Sequence, residues 1–91
     1  MKYEVKFTNQ FKKDLKLAKK QGRDIDRLYA VIEKLADDEP LEQKYRDHDL
    51  NGNYKGCREC HVEPDWLLVY EVMDDVLVLM LYRVGSHSTL F

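Results

Sequence analysis

Three short stretches hold the residue types that can move protons. Tyr45-Arg46-Asp47-His48-Asp49-Leu50 carries one histidine, and Cys60-His61-Val62-Glu63-Pro64-Asp65-Trp66 carries a second. The terminal Gly85-Ser86-His87-Ser88-Thr89-Leu90-Phe91 carries the third. An imidazole titrates at about pH 6.5, so two of them can serve as base and acid at neutral pH without a metal. The terminal stretch follows the apolar run Val76 to Val84 and ends on an aromatic ring. Its small residues and histidine are poor material for a core. They suit a site at a strand end, where a ligand can approach. Shared chemistry requires that the three stretches meet in space.

One reaction that uses this set is the cleavage of RNA by its own 2′-hydroxyl. A base takes the 2′ proton, an acid protonates the leaving 5′-oxygen, and cations stabilise the charged phosphorane. Arg46, Lys55, Arg58 and Arg83 are available for phosphate. Trp66, Tyr54 and Phe91 are available for stacking on bases, worth about 1–3 kcal/mol each. Each residue also has a plain structural alternative. His61 can be a satisfied strand histidine, Trp66 a core residue, and Phe91 a chain end tucked inward. Metal binding by the three histidines with Asp65 is the competing chemistry. No pair has helical i, i+4 spacing and no His-x-His occurs, so neither a metal nor a cofactor is expected.

The elements that must position these residues follow from periodicity. Tyr3, Val5 and Phe7 alternate with charged residues in a strand from Lys2 to Phe7. Thr8 or Asn9 caps a helix to Gln21, with Phe11, Leu15 and Ala18 as its buried stripe. Asp24 caps a second helix to Asp37, whose apolar residues are Ile25, Leu28, Tyr29, Ile32, Leu35 and Ala36. The short link predicts a helix hairpin. Leu41 to Tyr54 reads as a polar loop. Strands are predicted over Cys57–Val62, Trp66–Met73 and Val76–Val84, the last two apolar on both faces as central strands are. The order β-α-α-β-β-β predicts an α+β fold, a mainly antiparallel sheet with the helix hairpin on one face.

Ninety-one residues predict one small domain, 1–91. No apolar leader and no run of membrane-crossing length occur, so a soluble cytoplasmic protein without a membrane partner is expected. Cys57 and Cys60 have Cys-x-x-Cys spacing but sit in strand-like sequence. Positions three apart on a strand point to opposite faces, so two ordinary reduced thiols are expected. The net charge of −2 argues against a nucleic-acid partner, but its distribution argues for one. Before Asp24 stand Lys2, Lys6, Lys12, Lys13, Lys16, Lys19, Lys20 and Arg23 against only Glu4 and Asp14. Lys12, Lys13, Lys16, Lys19, Lys20 and Arg23 fall within one helical arc of about 120°.

The run Asp47-His48-x-Leu50-x-Gly52-x-Tyr54-Lys55-Gly56-x-Arg58-Glu59-Cys60-His61-Val62-Glu63-Pro64-Asp65-Trp66, with the ending Arg83-Val84-Gly85-Ser86-His87-Ser88-x-Leu90-Phe91, resembles the signature of YafQ toxins. These are members of the RelE/ParE superfamily of type II toxin–antitoxin systems. The resemblance spans the chain. It implies a ribosome-dependent endoribonuclease that cuts mRNA and halts translation. It implies a cognate antitoxin as partner, with operator DNA reached only through the antitoxin complex. By matching position it implies an active site of His48, His61, Asp65, Trp66, His87 and Phe91. His48 and His87 are expected as the base–acid pair, His61 at the phosphate, and Asp65 at a histidine or the RNA. Trp66, Phe91, Arg58, Arg83 and Lys55 are expected to position RNA, and the lysine arc with Arg23 to bind the ribosome. The alternative from another class is a ParE-like toxin that binds DNA gyrase without catalysis.

Overall fold

The computed structural model describes all residues, Met1–Phe91. Strand β1 spans Glu4–Phe7, helix α1 Asn9–Lys20 and helix α2 Ile25–Ala36. Thr8 caps α1 by accepting from the Phe11 amide at 3.0 Å, and Asp24 caps α2 by accepting from the Arg27 amide at 3.1 Å. Lys19 and Lys20 close α1, where positive charge suits the carbonyl end of the helix dipole.

The sheet contains five strands, one more than the four read from the sequence. Strand β2 is His48–Asp49, β3 Arg58–Glu63, β4 Trp66–Met73 and β5 Val78–Gly85. The spatial order is β1-β5-β4-β3-β2. All neighbours pair antiparallel except β1, which lies parallel to β5. Strand β4 is central, which is why Trp66 through Tyr70 are all buried. Two departures from the sequence reading matter. The predicted loop 41–54 contains β2 and two short 3₁₀ turns, Gln43–Tyr45 and Gly52–Tyr54. The chain end is a short helix, α3, His87–Leu90, capped by Ser86.

Helices α1 and α2 cover one face of the sheet. Phe11, Ala18, Leu28, Val31 and Leu35 meet Cys60, Val62, Leu68, Tyr70, Leu79 and Val84 there. The predicted stripe of α1 changes in one place: Asp14 is buried and Leu15 is half-buried. The reason lies in β5. Strand β1 ends at the level of Leu81, so the amides of β5 beyond it lack a strand partner. Asp14 accepts the Val84 amide at 3.2 Å and the Arg83 Nε at 2.8 Å. The other face carries a smaller cluster of Leu67, Val69 and Leu90, flanked by Leu50, Tyr54, Cys57 and Tyr82. Cys57 and Cys60 thus lie on opposite faces, both as free thiols. No helix is long and apolar enough to cross a membrane.

Candidate active site

The three histidines lie on the sheet face turned away from α1 and α2. On β3, Glu59 and His61 are two apart and alternate with the core residues Cys60 and Val62, so they share that face. Strand β2 is minimal, yet its pairing sets His48 opposite Glu59. The Glu59 carboxylate is 3% exposed. Its Oε1 lies 3.2 Å from His48 Nε2 and 3.6 Å from His61 Nε2, and the two rings are 6.4 Å apart. Each ring meets a carbonyl with its other nitrogen: His48 Nδ1 is 3.1 Å from the Asp49 oxygen, and His61 Nδ1 is 3.3 Å from the Pro64 oxygen. A neutral imidazole can donate through only one nitrogen. An added proton, or a cation, satisfies the second acceptor.

His87 reaches this group through the β3–β4 turn. His61 pairs with Leu67 and Leu67 pairs with Gly85, so one row crosses three strands. The backbones of His61 and Gly85 are therefore about 9.5 Å apart, two strand spacings. A bulge at Val62 shifts the register beside this row, as bulges often do next to sites. Gly85 lies close under Leu90: a Cβ there would come 3.2 Å from Leu90 Cδ2, a tight contact that the leucine side chain would have to relieve. Asp65, in the turn, accepts the backbone amide of His87 at 3.2 Å. The His87 ring is 5.3 Å from Phe91, and Phe91 meets Tyr54 edge-on at 5.4 Å. Phe91 remains half-exposed.

Several expected positions are placed otherwise. Trp66 is 1% exposed and packs in the core beneath the helices, because residues at the start of a central strand have neighbours on both sides. It has no free face for a base. The Arg23 guanidinium lies 5.7 Å over its ring and is drawn off the lysine arc, whose Lys12, Lys13, Lys16, Lys19 and Lys20 are exposed. Arg58, three residues before His61, leaves the sheet on the helix side, where it pairs with Asp47 and Asp49. Hydrogen bonding to Asp47 raises its pKa further, so its charge is permanent but spent on carboxylates. Arg83 stays at the site edge beside Tyr54, tethered by Asp14, which also holds its pKa up. Lys55 is exposed on the loop after Tyr54. Asp65 acts on the His87 backbone and not on a histidine ring.

A family model for bacterial toxins of type II toxin–antitoxin systems, YafQ, matches residues 3–91. The chain belongs to the YafQ toxin family. It is 39% identical over 89 residues to the mRNA interferase toxin YafQ of Escherichia coli strain K12, covering 97% of this chain and 95% of that protein. A chain of the E. coli DinJ–YafQ complex matches with a TM-score of 0.90 at 39% identity, covering 98% of both. A metal-bound toxin from Helicobacter pylori matches with a TM-score of 0.93 at 46% identity, covering 98% of this chain and 99% of that one. Within this YafQ fold, Glu59 is the site residue that sequence reasoning missed. Its signal was Glu59-x-His61 in a strand, a spacing that puts both side chains on one face. Metal reasoning from spacing within one element missed the same group, because His48 joins it across strands. One atom from each of His48, Glu59 and His61 lies within 4.8 Å of the others.

Proposed function

We propose that this YafQ-family toxin, a single domain over residues 1–91, cuts messenger RNA in the ribosomal decoding site by metal-independent acid–base chemistry. The observation that supports this most is the clustering of His48 and His61 about Glu59, with His87 tied through its backbone amide to Asp65 in the turn that also receives the His61 ring. In the reaction the 2′-oxygen forms a bond to phosphorus and the bond to the 5′-oxygen breaks. One imidazole takes the 2′ proton and another delivers a proton to the leaving oxygen, leaving a 2′,3′-cyclic phosphate and a 5′-hydroxyl. His48 and His87 are the base–acid pair in this reading. His87 is exposed and its ring makes no hydrogen bond, so it is free to carry a proton. His61, 16% exposed and held at both nitrogens, orients the phosphate. Arg83, paired with Asp14, stands at the edge of the site, and Phe91 and Tyr54 offer rings to a base.

The protein works in the cytoplasm, is neutralised by a cognate antitoxin, and meets operator DNA only in the antitoxin complex. The test is expression of the chain without an antitoxin, followed by mapping of mRNA 5′ ends. Cuts within translated codons that vanish when ribosomes are kept off the message support the proposal. Continued protein synthesis with DNA damage would sink it in favour of gyrase binding.

A second reading has its own observation. The nitrogen, nitrogen and oxygen atoms of His48, His61 and Glu59 suit a borderline transition ion such as zinc or copper, and the relative from H. pylori is a metal-bound toxin. Such an ion would occupy two imidazoles that the proposed cleavage needs, and would act as an inhibitor.

A further inference from the structure

We propose that a hollow beside His61 holds a phosphodiester of the same RNA strand, next to the scissile one. This inference rests on the ribonuclease reading above. The hollow has a volume of about 270 Å³, and Arg27, Lys44, Arg46, His61, Glu63 and Pro64 are among the residues that line it.

Its charges are only weakly compensated within the fold. The Arg27 guanidinium lies 5.8 Å from the Tyr45 ring centre, and the Lys44 ammonium lies 5.3 Å from the same ring. Arg46 follows directly, at a φ of 46°, a backbone state that disfavours a residue with a Cβ. Its amide is held there by the Gln43 carbonyl at 3.0 Å. Three cations gathered in one hollow repel one another. No ion pair in the molecule engages Arg27 or Arg46, although acidic residues outnumber Lys and Arg by 17 to 15. Lys44 makes only a long, exposed contact to Glu42 at 3.7 Å. Arg58 and Arg83, by contrast, are both paired. Glu63 is the single carboxylate in the wall.

The anion that fits is a phosphate oxygen pair, which arginine engages through its planar fork. Its source follows from His61, which belongs both to this hollow and to the Glu59 group. A strand with its scissile phosphate at His61 continues into the hollow within one linkage. Arg27, Lys44 and Arg46 are thus RNA-positioning residues, reached by α2 and by the 3₁₀ turn before β2.

The test is single-turnover cleavage on programmed ribosomes with toxin concentration varied. The messages each carry one neutral methylphosphonate linkage beside the scissile position. Arg46→Gln and Arg27→Gln should each raise the half-saturating concentration about 10-fold, with the saturated rate and pH profile unchanged. Arg46→Lys should recover part of the loss, and Glu63→Gln should shift the concentration the other way. One methylphosphonate should weaken wild type as much as Arg46→Gln does, and add little to that variant, because the two remove one contact. If Arg46→Gln and Arg27→Gln match wild type while wild type cuts normally, the hollow binds no RNA. If their loss is equal at every linkage, the contact is to ribosomal RNA or to no fixed phosphate, and the proposal fails. If wild type does not cut the unmodified message, the ribonuclease reading itself fails.

Discussion

The Asp65 carboxylate accepts the backbone amide of His87 at 3.2 Å, across 22 residues of sequence. The same turn receives the His61 ring through the Pro64 carbonyl. One turn therefore sets the spacing between His61 on β3 and His87 at the start of α3. Asp65→Ala should lower cleavage by about 10- to 100-fold, since small misplacements of a catalytic group are costly. Both limbs of the pH–rate profile should survive, because no proton carrier is lost. Asp65→Asn should keep more activity, as its amide oxygen still accepts. Loss of one limb in Asp65→Ala would mean that the carboxylate itself moves protons.

His87→Ala should cut the chemical step by about 10²–10⁴-fold with ribosome binding nearly intact. His48→Ala and His87→Ala should each remove one limb of a bell-shaped profile. The double variant should cost less than the product of the singles, as residues that act as a unit do. Deletion of Phe91 should cost less and leave the profile's shape unchanged, because the ring positions and transfers no proton. Single-turnover rates against pH decide this. A His87→Ala protein that lost binding and kept both limbs would make His87 an RNA contact.

The helices and the three long strands were legible because caps, stripes and apolar runs are local signals, although β5 starts at Val78 and leaves the predicted Val76 and Leu77 exposed in the turn before it. Thr8, Asp24 and the central β4 stand where the pattern puts them. Strand β2 was not legible: His48-Asp49 has no alternation to read, and only its pairing with β3 makes it a strand. The parallel neighbour of β1 is likewise a long-range fact. In the candidate site, the family motif named the histidines but not how they are held. Trp66 shows the limit of residue type, since an indole reads alike as platform or core until its neighbours are known. Arg58 failed on parity, being three residues from His61 on one strand. Asp14 hid in a basic helix, where it looked like a stray acid. It serves an amide that β1 is too short to reach.

The exposed arc Lys12, Lys13, Lys16, Lys19 and Lys20 should supply affinity and no chemistry. Changing Lys12, Lys16 and Lys19 to Gln should weaken ribosome binding and reduce its salt slope by about 2, roughly 0.7 per lost phosphate contact. The saturated cleavage rate should hold. Binding measured from low to moderate salt tests this, and an unchanged slope would leave the arc as solvated surface or antitoxin contact.

Stability should fall at alkaline pH. Burial pushes the Cys60 thiol and the Tyr70 phenol up, Tyr70 also through its hydrogen bond to Asp47, and burial pushes Tyr82 up to about 12. The folded state then binds more protons than the unfolded chain, so unfolding free energy has a negative slope with pH. The contribution is complete below about pH 7.5, where an unfolded thiol is still almost fully protonated, and an unfolded thiol is about half ionised by pH 8.5. It is lost progressively as pH rises toward the folded-state values. Urea midpoints at pH 7, 8.5 and 10 should decrease in that order, and Cys60→Ala should flatten the first part of the decline. The Cys60 thiol should also resist labelling until the protein unfolds. Equal midpoints for wild type across that range would contradict the assignment.

Metal should inhibit this toxin and should not be needed by it. Glu59 is buried between two imidazoles, each of which turns a nitrogen toward its Oε1. A proton on either ring balances that carboxylate, and so does a zinc or copper ion shared among the three groups. The two occupancies compete, and only metal-free imidazoles can take protons from RNA or give them to it. Toxin stripped of metal by a chelator, then assayed with ribosomal Mg²⁺ left in place, should cut at its full rate. Added zinc should slow it, and a chelator should restore it. The inhibition should ease as pH falls, because ligand imidazoles must shed their protons to bind metal. Glu59→Gln keeps the shape but removes the charge, so zinc measured against a chromophoric chelator, without RNA, should bind about 10- to 100-fold more weakly. The ratio of zinc-treated to zinc-free cleavage should rise toward one in that variant, whatever its own basal rate. If stripping abolished wild-type cleavage and stoichiometric zinc restored it, the ion would belong to the reaction and the acid–base assignment of His48 would fall.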